Sequence, residues 1–190
     1  NNGWGVTGIC WGCTLMPVRV SDKSGAATVS AIASGITWAA DHGAKIANLG
    51  YAATDSPTVS SAAEYLWNKG GITVAPAGNN GTFDSSPANP SIITVSGTDP
   101  WSDLIWSQSN TGNNIDLAAT DNSLYTTLNG GGYGPDNSGT CISAAIVSGV
   151  AALAWSANQN LTPAERSNIL KQSADQKSGA QGTWSTTYGW

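Results

Sequence analysis

Two hydrophobic periods alternate along this chain, and they predict different elements. Residues 14–20, TLMPVRV, alternate apolar and polar positions and predict a strand that ends at the turn SDKSG. Residues 28–43, TVSAIASGITWAADHG, place apolar or small residues at helical spacing, with Thr28 able to cap the start and Gly43 after the end. AKIANL (44–49) is a short buried-strand candidate. In SPTVSSAAEYLWNKG (56–70), Ser56 is the N-cap, Pro57 takes the first helical position and Gly70 closes the helix. GITVAPAG (71–78) and SIITVSG (91–97) are further strands, the first running into a glycine-rich loop. Residues 98–138 read as loops with short strands such as NIDLAA and SLYTTL. Thr140 to Ala157 predicts a long apolar helix, and LTPAERSNILKQSAD (161–175) an amphipathic one with Thr162 as cap and Pro163 in its first turn.

Strand, helix, strand, helix, strand in short order implies right-handed crossovers and a parallel sheet. The continuously apolar strands imply cover on both faces. The expected fold is therefore α/β, a three-layer, mostly parallel sheet with helices on both faces. In such sheets the site lies at the carboxyl ends of the strands. That directs attention to the loops after residues 49 and 75 and to the start of the helix at 140.

Composition narrows the function. A chain of 190 residues fits one domain, residues 1–190, large enough to bury a core without disulfides or metal. Charged residues make up 10% and the net charge is −5, which argues against a nucleic-acid partner. Low charge, many small polar residues and nine tryptophans fit an extracellular protein. No apolar run is expected to cross a membrane, which takes about 20 residues. The opening NNGWGVTG reads as a loop inside a domain rather than a signal peptide, as in a mature product or a fragment. Three cysteines leave at least one free or paired between chains. Cys10 and Cys13 form CWGC, but this precedes a strand instead of opening a helix, so two small fillers or one local disulfide are preferred to a redox site.

The candidate chemistry gathers at GTCISAAIVSG, 139–149. Cys141 falls in the first turn of a predicted helix, where unpaired N–H groups and the helix dipole favour an anion. A thiol placed there is a potential nucleophile. The Cys141 N–H and the side-chain amide of Asn79, in AGNN after the third strand, could form an oxyanion hole. Spacing alone leaves another reading open, with Cys141 a packed small residue and Asn79 a loop stabiliser.

The segments NNGWGVTGICWGCTLMPVRV, SAIASGITWAADHGAKIANL, YLWNKGGITVAPAGNNGT, IDLAATDNSLYTTLNGGGYG, SGTCISAAIVSGVAALAWSANQNLTPAE and ILKQSAD, in this order, resemble the subtilisin-like serine proteases. The resemblance covers nearly the whole chain. It implies that Cys141 stands at the serine nucleophile of G-T-S and Asn79 at the oxyanion amide of A-A-G-N. It implies that NLGYAA, with Gly50, Tyr51 and Ala52, occupies the S-L-G substrate-binding strand without reproducing it. The loop NNGWGV resembles one that binds calcium in many relatives, with Asn2 as its one side-chain ligand candidate.

The departures matter as much. The family's D-T/S-G and H-G-T motifs are missing, and the domain reads as truncated at both ends relative to the family. The one histidine, His42, sits at the end of a predicted surface helix, where a cation interacts with the negative helix end. The motif's proline is Ala145 and its histidine Ile146. Serine to cysteine with proline to alanine resembles the change that makes peptide ligases of these proteases, but that activity still uses a histidine base. Loss of a base that works as one unit with the nucleophile costs on the order of 10⁶-fold. The expectation is a protease-derived domain, a pseudoenzyme as it stands, with a structural role as an extracellular homo-oligomer or filament. The alternative is the C-terminal part of a secreted endopeptidase that cleaves peptide or protein substrates with Asp and His from another segment.

Overall fold

The computed structural model describes residues 4–122, 124–135, 139–175 and 183–190. The elements run α1 (Val29–Asp41), β1 (Ile46–Asn48), α2 (Pro57–Asn68), β2 (Ile72–Pro76), β3 (Phe83–Asp84), β4 (Ile92–Thr98), β5 (Thr111–Gly112), β6 (Leu117–Thr120), β7 (Tyr125–Thr127), β8 (Tyr133–Pro135), α3 (Thr140–Ala157) and α4 (Pro163–Ser173). The main sheet has the order β1-β2-β4-β6, with every neighbouring pair parallel. Val74 lies opposite Ile93 and Val95 opposite Leu117. β3 pairs with β5 and β7 with β8 in two small ribbons.

Local chemistry fixes the helix ends. Thr28 Oγ1 accepts the N–H of Ala31 at 3.2 Å to start α1, and Ser56 Oγ accepts that of Val59 at 3.5 Å to start α2. Gly43 (φ +85°) and Gly70 (φ +84°) follow the two ends in the left-handed region that glycine tolerates best. In α4, Thr162 and Glu165 bond each other's backbone N–H in a reciprocal capping box.

The alternation along the strands splits the core into two layers. Ile72, Val74, Ile93 and Val95 face α3 and α4, where Ala144, Val147, Ala151 and Leu170 meet them. Ala75 and Ile92 face the other way, onto Ile32 and Ile36 of α1 and Val59, Ala63 and Leu66 of α2. The layering expected from the sequence is present, with helices on both faces of a parallel sheet.

Two expectations need correction. Residues 14–20 form no regular strand; 14–17 are all exposed, and an in-and-out alternation holds only over Val18, Arg19 and Val20. Val18 and Val20 are half-buried, and a Cβ on Gly35 of α1 would lie 2.5 Å from a Val20 methyl. Leu15 is 88% exposed. A strand exists only through its neighbour's backbone, and among the described residues none pairs with 14–20; the one nearby bridge joins Ser21 and Ala27. The second concerns length. α3 is an 18-residue helix, apolar and long enough to cross a membrane by those criteria alone. Here one side of it packs on the sheet while Val150 and Leu153 remain exposed.

Candidate functional site

β2 ends at Pro76, and the loop that follows meets the N-terminus of α3 through Thr140. Thr140 is fully buried. Its N–H and its hydroxyl both donate to Asn79 Oδ1, at 2.9 and 2.8 Å, while Oγ1 accepts the N–H of Gly78 at 3.1 Å. Two donors on one oxygen fix the orientation of the amide, because the flipped form would set N–H groups against N–H and O–H. Nδ2 of Asn79 is therefore the outward donor.

The candidate nucleophile lies beside it. Cys141 is the second residue of α3, half-buried, with a free thiol. Helix geometry gives its N–H no acceptor within the helix. A Cβ built on Gly139 would lie 3.2 Å from Asn79 Nδ2 and 3.2 Å from Cys141 Sγ. The amide donor and the sulfur thus flank one point that glycine keeps open. The fold brings Asn79 and Cys141 together from 62 residues apart in sequence, by adjacent strand and helix ends at one edge of the sheet.

The loop that carries Asn79 is held by a residue the sequence reading missed. Asn110 Oδ1 accepts from the N–H groups of Asn80 (3.0 Å) and Thr82 (3.1 Å) and from the Thr82 hydroxyl (3.2 Å). Its Nδ2 donates to the Ala77 carbonyl at 3.0 Å, and its own N–H donates to Gly78 O at 2.9 Å. Gly78 has φ +105°, and a Cβ there would fall 2.5 Å from Asn110 Nδ2. No motif marks Asn110; an asparagine in a loop of Ser, Asn and Thr carries no local signal.

The segment after β1 forms another side. Ala52 lies 3.5 Å from the Cβ position of Gly78, so it borders the Asn79 loop. Gly50 is open to solvent. The Tyr51 hydroxyl donates to Gly25 O at 2.7 Å. His42 is elsewhere. It caps α1, stacks on Trp38 at 3.8 Å and holds the Trp38 carbonyl with Nδ1 at 2.8 Å. α1 ends just before β1 begins, so His42 lies near the amino end of that strand, opposite the carboxyl ends that carry the site.

Cys10 and Cys13 are joined in a disulfide, which leaves Cys141 as the free cysteine. Asn2, the calcium candidate, lies outside the described residues. Among the described residues no group of three or more His, Cys, Asp or Glu is arranged to hold a metal. One buried carboxyl does border the helix start. The Asp121 main-chain carbonyl accepts the N–H of Gly139 at 2.9 Å, while both carboxyl oxygens are buried without a partner. Burial, and then the charge of Asp99, push its pKa above the ordinary carboxylate value.

The subtilase family model matches residues 1–190. The chain belongs to the subtilase family. This subtilase is 37% identical over 187 residues to thermitase of Thermoactinomyces vulgaris, covering 97% of this chain and 66% of that protein. It is 36% identical over 182 residues to a thermophilic serine proteinase of Bacillus sp. (strain AK1), covering 94% of this chain and 44% of the other. Among solved structures it resembles a protease of Pseudoalteromonas arctica PAMC 21717, with a TM-score of 0.84 and 28% identity, covering 100% of this chain and 63% of that one. A cold-adapted subtilisin-like serine proteinase gives a TM-score of 0.76 at 32% identity, covering 84% and 59%. The subtilase domain described here thus spans less than two thirds of the length of each.

Proposed function

We propose that this chain carries the nucleophile and oxyanion half of a site for acyl transfer from peptide or protein substrates, and that turnover at Cys141 draws its proton acceptor from residues outside the chain. The observation that supports this is the open point at Gly139, flanked by the Asn79 amide and the Cys141 sulfur. A carbonyl oxygen that gains charge there meets a side-chain donor and the first N–H groups of α3, the arrangement that stabilises an oxyanion. Cysteine retains nucleophilicity without a base, but peptide cleavage also needs a donor for the leaving amine. His42, the one histidine, is at the wrong end of the sheet to supply it. The Cys10–Cys13 disulfide supports an extracellular setting.

The test is acylation by p-nitrophenyl acetate, whose leaving group needs no proton. Sγ bonds to the carbonyl carbon, nitrophenolate departs with the electron pair and the thiol proton passes to water. One acetyl group on Cys141 is expected, with no turnover of a peptide anilide. Asn79→Ala is expected to slow acylation by roughly 10²-fold. Acylation of Cys141→Ala at the wild-type rate, or no effect of Asn79→Ala, overturns the reading.

A second reading, a self-associating structural subunit, is favoured by the exposed apolar surface at Leu15, Met16, Val150 and Leu153. It predicts an oligomer by light scattering, and a monomer at working concentration rejects it.

A further inference from the structure

We infer that Asn110 is a positioning residue for the oxyanion donor: its side chain shapes the loop that aims the Asn79 amide at the Cys141 site. The inference rests on the acyl-transfer reading above. Asn79 itself is solvent-exposed, and among the described residues its side chain is held through its carbonyl oxygen alone, by Thr140. Its backbone must come from elsewhere. The residues on either side of it, Ala77, Gly78 and Asn80, each bond to Asn110. No other side chain among the described residues bonds more than one of them, Thr140 reaching Gly78 alone.

The geometry explains why an asparagine is used. A single amide side chain offers an acceptor that takes two N–H groups and a hydroxyl from 80–82, and a donor that takes the Ala77 carbonyl on the other flank. An acid of the same shape would set oxygen against that carbonyl, and a leucine would satisfy neither flank. The main chain of Asn110 adds a bond to Gly78 O. Gly78 then adopts its positive φ with no Cβ, because a Cβ would strike the amide at 2.5 Å. Pinning both flanks fixes the backbone from which the Asn79 side chain projects, with Nδ2 as its outward donor. A shift of about 1 Å in such a group can cost on the order of 10²-fold in rate.

Two reactions of the same thiol separate aim from general reactivity. Acylation by p-nitrophenyl acetate passes through an oxyanion. Alkylation by iodoacetamide is a direct displacement of iodide by sulfur, with the proton lost to water, and forms none. The ratio of the two rates therefore reads the oxyanion donors, and a loss of fold or of thiol exposure moves both rates together. Asn110→Ala is expected to lower the ratio about tenfold or more while alkylation stays within about twofold of wild type. Asn110→Ala combined with Asn79→Ala is expected to lower it no further than Asn79→Ala alone, because both act through one group. Asn110→Asp, isosteric and able to keep the three bonds to 80–82, is expected to fall between Asn110→Ala and wild type. It also serves as the test variant if Asn110→Ala does not fold. If Asn79→Ala lowers the ratio and the folded Asn110 variant leaves it at the wild-type value, Asn110 has no positioning role. If Asn79→Ala itself leaves the ratio unchanged, the acyl-transfer reading fails, and this inference with it.

Discussion

Gly139 shows how little space the site has to spare. Its backbone is extended, so any residue could adopt it, and the constraint lies in what a side chain would meet. A methyl group would lie 3.2 Å from both Asn79 Nδ2 and Cys141 Sγ, the point proposed above to receive a substrate carbonyl. Gly139→Ala is expected to lower acylation of Cys141 by about tenfold or more, with a change in stability of about 1 kcal/mol or less, measured by stopped-flow and by thermal melting. Asp121 works the other way. Its buried, unpartnered carboxyl has a raised pKa, so the folded state holds a proton that the unfolded state releases near the ordinary value of 3.8. Stability is then highest below that value and falls as pH rises from it through the folded-state pKa. Asp121→Ala is expected to remove that decline, and at pH 7 to be more stable relative to wild type than it is at pH 4. Denaturant melts at the two pH values measure the difference. The sequence marked Cys141 and Asn79 because a glycine-rich loop and a helix start carry local signatures. Thr140, Asn110 and Asp121 were invisible in it, since what they do depends on partners 61, 33 and 18 residues distant.

Helix α4 is fastened by charge as well as by the apolar packing of Leu170. Arg166 is fully buried and gives its guanidinium to carbonyls, Nη1 to Gly70 O at 3.2 Å and Nη2 to Leu161 O at 2.8 Å. Gly70 closes α2, so the cation also meets the negative end of that helix. Two residues short of the other end, Lys171 pairs with Asp116 at 2.7 Å. Burial raises the pKa of Asp116, and Lys171 and the N–H of Thr94 oppose that. Lys171→Met removes the counter-charge and leaves the carboxyl buried; a loss of about 3 kcal/mol at neutral pH is expected in chemical denaturation. The loss should shrink in acid, where Asp116 takes up a proton. The amphipathic pattern found this helix and its Thr162 cap, but the pattern counts Arg166 as a surface residue. Segment 14–20 is the reverse case. Its alternation is that of a strand, and Val18 and Val20 pack as a strand would, yet the described chain contains no partner to make it one.

At the scale of the molecule, a parallel sheet covered by helices on both faces was legible because the strands and helices carry different periods and crossover handedness leaves few ways to join them, whereas the order β1-β2-β4-β6 came only from the structure. What period could not give is which faces stay uncovered. α3 is apolar all round, which reads as buried, and the structure covers only part of it. The same topology has a kinetic side. Every pairing in the main sheet is parallel and therefore non-local, and the Thr140–Asn79 lock joins two segments that can meet only after β2 and β4 have paired and α3 has docked on them. Helices form in about a microsecond or less, whereas long-range parallel pairing is slow. During refolding, far-ultraviolet dichroism should therefore recover before Cys141 regains its preference for acylation over alkylation. The reactivity of a single sulfur atom would then serve as a clock for the last step of assembly.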